Sequence, residues 1–219
     1  MSESSEVLVR AGVEEDLKAL TDIYNHYVRE SSATFDTEPF TPEERRAWLL
    51  SHLEDGPHRL LVAQQLHIDD KGAARTREVA GDAGLAGNAE LAGDTGNGGR
   101  EDSGAGAGRS RSAFGQVLGY ATSSQFNPRP AYSTSVEVSV YLAPEAYGRG
   151  IGTLLYEHLF EALEGQDLHR AYAGITVPND ASVRLHQRFG FELAGTYREA
   201  GRKFGRYYDV QRFEKALGP

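Results

Sequence analysis

The chain has 219 residues, 39% hydrophobic and 25% charged, enough for one globular domain with a full apolar core. A formal net charge of −9 argues against a general nucleic-acid binder, whose phosphate contacts need a basic surface. The absence of cysteine removes disulfides, thiolate metal sites and a cysteine nucleophile, and no stretch approaches the roughly 20 apolar residues of a membrane span.

The acidic start, Met1 to Glu6, has no apolar signal-peptide region, so a cytoplasmic location is expected. Leu17, Leu20, Tyr24, Tyr27 and Val28 then recur at three- and four-residue spacing, which predicts an amphipathic helix. Thr41-Pro42-Glu43-Glu44 predicts the start of a second, with Thr41 as N-cap, Pro42 as first helical residue and Glu44 closing a capping box. Arg59–Ala63 and Gln116–Ala121 read as two strands of one hairpin. Between them, 69–113 is dominated by Gly, Ala, Asp and Arg, without an aromatic residue or apolar periodicity. It reads as a disordered insertion at the hairpin tip, where loop-closure entropy grows only logarithmically with length; a substrate lid is the functional alternative.

Asn127-Pro128-Arg129-Pro130-Ala131-Tyr132 is a loop. Ser135 to Leu142 then alternates, with Val136, Val138, Val140 and Leu142 on one face and Ser135, Glu137, Ser139 and Tyr141 on the other. A third helix carries Ile151, Leu154, Leu155, His158 and Leu159 on one stripe. A strand over Ala171–Val177, a helix over Ser182–Phe189 and a strand around Tyr207–Phe213 complete the chain. The order β-α-α-β-β-β-α-β-α-β predicts an α/β (α+β) fold over 1–219, a single domain with a mixed central sheet flanked by helices.

The stretch from Tyr141 to Thr153 carries the most chemistry. Pro144 ends a strand, and Gly148-Arg149-Gly150-Ile151-Gly152-Thr153 turns directly into a helix. Glycines there let backbone N–H groups converge, and the helix N-terminus adds partial positive charge. The product is a pyrophosphate cradle with Arg149 as a charge partner; a plain glycine turn is the bland alternative. Leu155 stands where a dinucleotide fingerprint needs its third glycine, and no Gly-Lys-Ser/Thr follows, so neither that motif nor a P-loop fits.

Gly148-Arg149-Gly150-Ile151-Gly152 followed by Leu154-Leu155 resembles the acetyl-CoA motif of the GNAT superfamily of N-acetyltransferases, with Tyr147 in place of the usual Gln or Arg. Val177-Pro178-Asn179 through Leu185-His186 and Phe189-Gly190-Phe191 resembles its second signature. Ile23-Tyr24-Asn25-His26-Tyr27, Thr34 to Pro39 and Gly201 to Val210 are similar to the phosphinothricin and methionine sulfone/sulfoximine acetyltransferase group.

The resemblance implies the GNAT fold, acetyl-CoA as co-substrate and Glu137 as general base. It gives His186 the place of the general acid that protonates the departing thiolate, with a merely packed histidine as the equal alternative. It also implies backbone contacts to the pantetheine arm from Val140, Tyr141 and Leu142, and a cofactor contact from Asn179. A homodimer is implied too, with the strand around Tyr207–Phe213 as the pairing edge.

For the acceptor, Arg129 is placed to hold a carboxylate and Tyr132 to wall the pocket; a solvated loop arginine reads equally well. Arg202, Lys203 and Arg206 offer further charge, more simply read as exposed. The histidines show no metal-ligand spacing, so no metal is expected. The expected reaction is acetyl transfer from acetyl-CoA to the primary amine of a small amino-acid-like molecule. Acetylation of a protein N-terminus or lysine, and a non-catalytic acetyl-CoA-binding module, are the alternatives.

Overall fold

The computed structural model describes residues 6–66 and 115–218; the insertion expected at 69–113 lies outside them. β1 (Val7–Ala11) leads to α1 (Leu17–Glu30) and α2 (Pro42–Leu50), then to β2 (Arg59–Gln65), β3 (Val117–Gln125) and β4 (Ser135–Leu142). α3 (Ile151–Leu163), β5 (Arg170–Thr176), α4 (Asp180–Arg188), β6 (Glu192–Lys203) and β7 (Arg206–Ala216) follow. The expected order holds through α4, and the structure then has one strand more, β6.

The strands form one mixed sheet in the order β1-β2-β3-β4-β5-β7-β6, in which only β4 and β5 run parallel. β2 and β3 pair antiparallel from Arg59↔Ser123 to Gln64↔Val117, the hairpin expected from their sequences. α1 and α2 lie over one face, where Tyr24 and Tyr27 meet Tyr141, and Trp48 meets Tyr120. α3 lies over the other, placing Gly152 against Leu142 and Leu185.

Local rules explain the helices. Thr41 Oγ1 accepts the Glu44 amide while Glu44 Oε2 accepts the Thr41 amide, the capping box written in the sequence. α1 buries Leu20, Ile23 and Val28. α3 buries Ile151, Leu155, Tyr156 and Leu159, and full burial of each such aliphatic side chain is worth about 1.5–3 kcal/mol. His158, expected on that stripe, is exposed; Tyr156 is buried instead, because the apolar face turns toward α4.

The C-terminal strand also departs from expectation. β7 is paired on both sides, with β5 and with β6, so Tyr207–Phe213 is not an edge. β6 is the edge, exposed along nearly its whole length, and its register against β7 slips twice. Lys203 at its end was expected to be exposed. It is buried, its Nζ donating to the carbonyls of Tyr27, Ser31 and Thr34. Three carbonyls, one of them at the negative end of α1, take over the role of water around that ammonium.

Candidate active site

β4 and β5 pair only over Ser135↔Arg170, Val136↔Ala171 and Glu137↔Tyr172, although β4 runs on to Leu142 and β5 to Thr176. Beyond Glu137 the two parallel strands part. The Ala143 amide bonds to the Leu118 carbonyl, which sets the ladder: odd-numbered β4 residues bond to β3, and even-numbered ones turn their backbone groups to the opened side. Val138 and Val140 therefore present peptide groups to the gap. Leu142 does too, but the Tyr27 hydroxyl donates to its carbonyl at 2.9 Å and accepts from its amide at 3.1 Å. Tyr141 differs from expectation, because its peptide belongs to the β3 ladder and its side chain to the opposite face.

At the end of the gap the chain enters the glycine turn. Gly148 and Gly150 have φ of +72° and +78°, left-handed conformations that other residues adopt reluctantly. Gly150 is the N-cap of α3, so the first-turn amides, Ile151, Gly152 and Thr153, have no intrahelical acceptor. Open space surrounds the Cβ positions of Gly148 and Gly150. Free amides, a helix N-terminus and clear approach together fit a pyrophosphate. Arg149 is exposed beside the turn, its Nη2 donating to Gln65 Oε1 at 3.0 Å.

Glu137 stands where the strands begin to part. Arg212 Nη1 donates to its Oε1 at 2.7 Å, and among the described residues no group bonds to Oε2. Arg212 is the direct cross-strand partner of Gly174 on β5, and its side chain passes over that glycine to reach β4. Glu137 also lines a cleft of about 320 Å³ between the sheet and α1–α2, with Tyr24, Asp36, Arg45, Trp48, Tyr120 and Tyr141. A larger hollow of about 690 Å³ lies beside α1, lined by Glu15, Asp16, Asp22 and Glu145 but not by Glu137. Arg10 and His26 stand on its wall as well, and it is the smaller cleft that contains the candidate base.

The other expected residues fall in three places. His186, on α4, is only 3% exposed, and both its ring nitrogens are engaged. Nδ1 lies 2.8 Å from the Ser182 carbonyl and so carries the proton, which leaves Nε2 to accept from the Tyr156 hydroxyl at 2.9 Å. Burial lowers its pKa, opposed by the Ser182 carbonyl. A buried imidazole bonded at both nitrogens has the features of the packed alternative, and in this arrangement it points no free N–H into the cleft. Asn179 caps α4, its Oδ1 accepting the Ser182 amide. Arg129 and Tyr132 are exposed on the loop between β3 and β4, outside the cleft lining, with Tyr132 packed edge-on against Phe126.

Three site residues were not anticipated in these roles. Tyr27 bridges α1 to the end of β4, Arg212 holds the candidate base, and Arg45 lies buried in the cleft. Tyr27 reads from the sequence as helix-stripe packing and as part of the Ile23–Tyr27 resemblance, and neither shows that its hydroxyl bonds far along the chain. Among the described residues, no cluster of His, Asp and Glu could hold a metal, and no helix is long and apolar enough to cross a membrane.

Comparison with known proteins gives a consistent picture. Residues 112–211 match the family described as "Acetyltransferase (GNAT) domain". The chain is 54% identical to "Phosphinothricin N-acetyltransferase" of Streptomyces coelicolor over 99% of its own length and 100% of that protein. Over 49% of its length and 62% of the other, it is 39% identical to the "L-methionine sulfoximine/L-methionine sulfone acetyltransferase" of Pseudomonas aeruginosa. Among solved structures, the "GNAT superfamily phosphinothricin acetyltransferase" of Sinorhizobium meliloti, "in complex with AcCoA", superposes with a TM-score of 0.68. That protein is 28% identical, over 97% of this chain and 89% of its own.

Proposed function

The chain belongs to the GNAT superfamily as an acetyl-CoA-dependent N-acetyltransferase of the phosphinothricin type, and from that premise we propose that its acceptor is the primary amine of a small amino-acid-like molecule. The observation that carries the reading is the position of Glu137. It lies at the fork of β4 and β5, open to the acceptor cleft on one face and to the cradle-bearing gap along the strand.

When bound, acetyl-CoA supplies an activated acetyl thioester. Gly148, Gly150 and the first-turn amides of α3 would hold its pyrophosphate, and the parted edge of β4 its pantetheine arm. The acceptor amine must lose a proton before its lone pair can attack. Arg212 holds Oε1 of Glu137, so Oε2 is the oxygen that takes the proton, directly or through one water. A peptide N–H from the even-numbered face of β4, with Val140 the best placed, stabilises charge on the carbonyl oxygen as the nitrogen–carbon bond forms. A thiol of pKa about 8.5 is a fair leaving group at neutral pH, so water can supply its proton without His186.

The compactness of the cleft favours a free amino acid over a protein chain. A thiol-release assay with free amino acids, phosphinothricin and methionine sulfone, run against peptides, tests this. Turnover of peptides alone would overturn it. We read the chain as a cytoplasmic homodimer joined through the β6 edge, where Leu193 and Tyr197 are exposed; light scattering that returns a monomer at micromolar concentration would refute the dimer.

A further inference from the structure

Arg45 enters the cleft from α2, directly after the capping-box Glu44, and only 6% of it is exposed. Its guanidinium is sandwiched between the rings of Tyr24, at 4.1 Å, and Trp48, at 4.0 Å. Stacking of this kind uses the two faces of the planar cation and leaves its N–H groups pointing outward in the plane. Nη1 is buried and has no hydrogen-bond partner, and the buried hydroxyl of Tyr120 has none either. The two groups are neighbours: the guanidinium acts on the Tyr120 hydroxyl against the effect of burial, by its charge and as a hydrogen-bond donor whose geometry falls short of a full bond, so a neutral hydroxyl is the nearest partner that the cation has.

The carboxylates of the cleft do not answer this charge. Asp36 accepts from the Tyr24 hydroxyl. Glu44 is taken by the amide and hydroxyl of Thr41. Glu137 is held by Arg212. Among the described residues Arg45 therefore forms no ion pair, and a buried guanidinium left so is costly unless something completes it. The cleft carries carboxylates at Asp36, Glu44 and Glu137, and one cation, Arg45, that forms no ion pair with any of them among the described residues. That pattern is complementary to a zwitterion.

We propose that Arg45, assisted by the Tyr120 hydroxyl, is the oxyanion subsite of the acceptor cleft, binding an oxyanion of the acceptor while its ammonium faces Glu137. This rests on the reading that the cleft takes an amino-acid-like acceptor. The oxyanion has two sources in such molecules, the α-carboxylate and an acidic side-chain group such as a phosphinate. Arg129, on the exposed loop outside the cleft, is left free to meet whichever group Arg45 does not hold.

The test is calorimetric binding of phosphinothricin to the full-length protein in the presence of CoA, with kcat and KM measured in parallel. Arg45→Met keeps the length and apolar stem of the side chain, and should weaken phosphinothricin binding about ten- to a hundredfold. Acetyl-CoA affinity should not change. Arg45→Lys should recover part of the loss by restoring the charge. Tyr120→Phe keeps the ring, tests the hydroxyl alone should α2 not tolerate Met, and should weaken binding by a smaller factor.

Two further acceptors identify the group. If the α-carboxamide of phosphinothricin no longer depends on Arg45, the α-carboxylate sits there; if methionine sulfone no longer does, the side-chain oxyanion sits there. Continued dependence on Arg45 with both would overturn the subsite, because the residue would then be acting only through packing. Equal binding to wild type and Arg45→Met would overturn it while leaving the proposed reaction intact. A wild-type protein that neither binds nor acetylates any amino acid would overturn both.

Discussion

Arg212 of β7 reaches Glu137 of β4 across Gly174 of β5 because that glycine has no side chain. A Cβ at Gly174 would lie 2.7 Å from Arg212 Nη1 and 3.8 Å from Glu137 Oε1. The obstacle is the mobile end of an arginine, not backbone, so a side chain at 174 would displace the guanidinium without unfolding the strand. Gly174→Val and Arg212→Leu should therefore each lower kcat about ten- to a hundredfold by freeing Glu137 from its set orientation. The double variant should be no slower than the worse single one, since both break one contact. Losses that multiply would show that the two residues act separately.

Glu137→Gln preserves the shape of the strand and removes the base. Loss of a general base costs about 10²–10⁴ in rate, and kcat/KM at neutral pH should fall on that scale. Raising the pH should restore part of it, because more of the acceptor then arrives already deprotonated. Acetyl-CoA affinity should stay as it was. A wild-type rate with an unshifted pH–rate profile would take Glu137 out of the mechanism.

At Gly150 the difficulty for a larger residue is conformational rather than steric, because nothing lies within 4 Å of its Cβ position while φ is +78°. Gly150→Val should rotate the turn out of the left-handed region and weaken acetyl-CoA binding about tenfold or more. Gly150→Asn, which tolerates that region, should keep most of the affinity. Calorimetry on both variants checks it, and equal weakening would point to obstruction of the ligand instead.

His186 makes a prediction about stability. Burial depresses its folded-state pKa, so protonation favours the unfolded chain. The stability it secures is complete above the unfolded value of about 6.5 and is lost as pH falls below it toward the folded value. His52 is shifted in the same direction, chiefly by burial, and should add to the slope. His186→Leu should lower the melting temperature at pH 8, by leaving the Tyr156 hydroxyl without its acceptor, and flatten the decline between pH 7 and 5. A variant with unchanged melting temperature and a large loss of kcat would return the acid role to His186.

Gln65 and Gln116 are hydrogen-bonded across β2 and β3, the Gln65 amide to the Gln116 carbonyl at 2.8 Å. Their neighbours Leu66 and Gly115 would become the flanks of a two-residue turn if the chain between them were shortened. Replacing 67–114 with Asn-Gly should therefore preserve kcat, KM and melting temperature. A large loss of activity would give the replaced segment a direct part in catalysis.

Much of this was legible in the residues themselves. The strand from Ser135 to Leu142 declared its two faces by alternation, and Thr41 and Glu44 declared a helix start by their spacing. β6 was not legible. It is paired on one side only, exposed, slipped in register and bent at Glu199 (φ 51°), so its sequence carries no alternation to read. Arg45 and Lys203 were hidden for another reason. A charged side chain on a helix or near a chain end is ordinarily solvated, and only tertiary packing reveals that these two are buried. The salt bridge at Glu137 joins residues far apart in the chain, and the glycine that permits it has meaning only once β5 lies between them.

Lys203 reinforces a join between two regions that also meet where Phe35 packs against Gly201 and Tyr208. It ends the free edge strand, and its ammonium is anchored to the close of α1 and to Thr34, whose hydroxyl accompanies Asp36 at the wall of the acceptor cleft. The C-terminal hairpin thus works as a buckle, fastening the segment after α1 from below. Whatever stiffens or strains the outer strand is transmitted through Lys203 and the Phe35 packing to the wall of the cleft proposed for the acceptor.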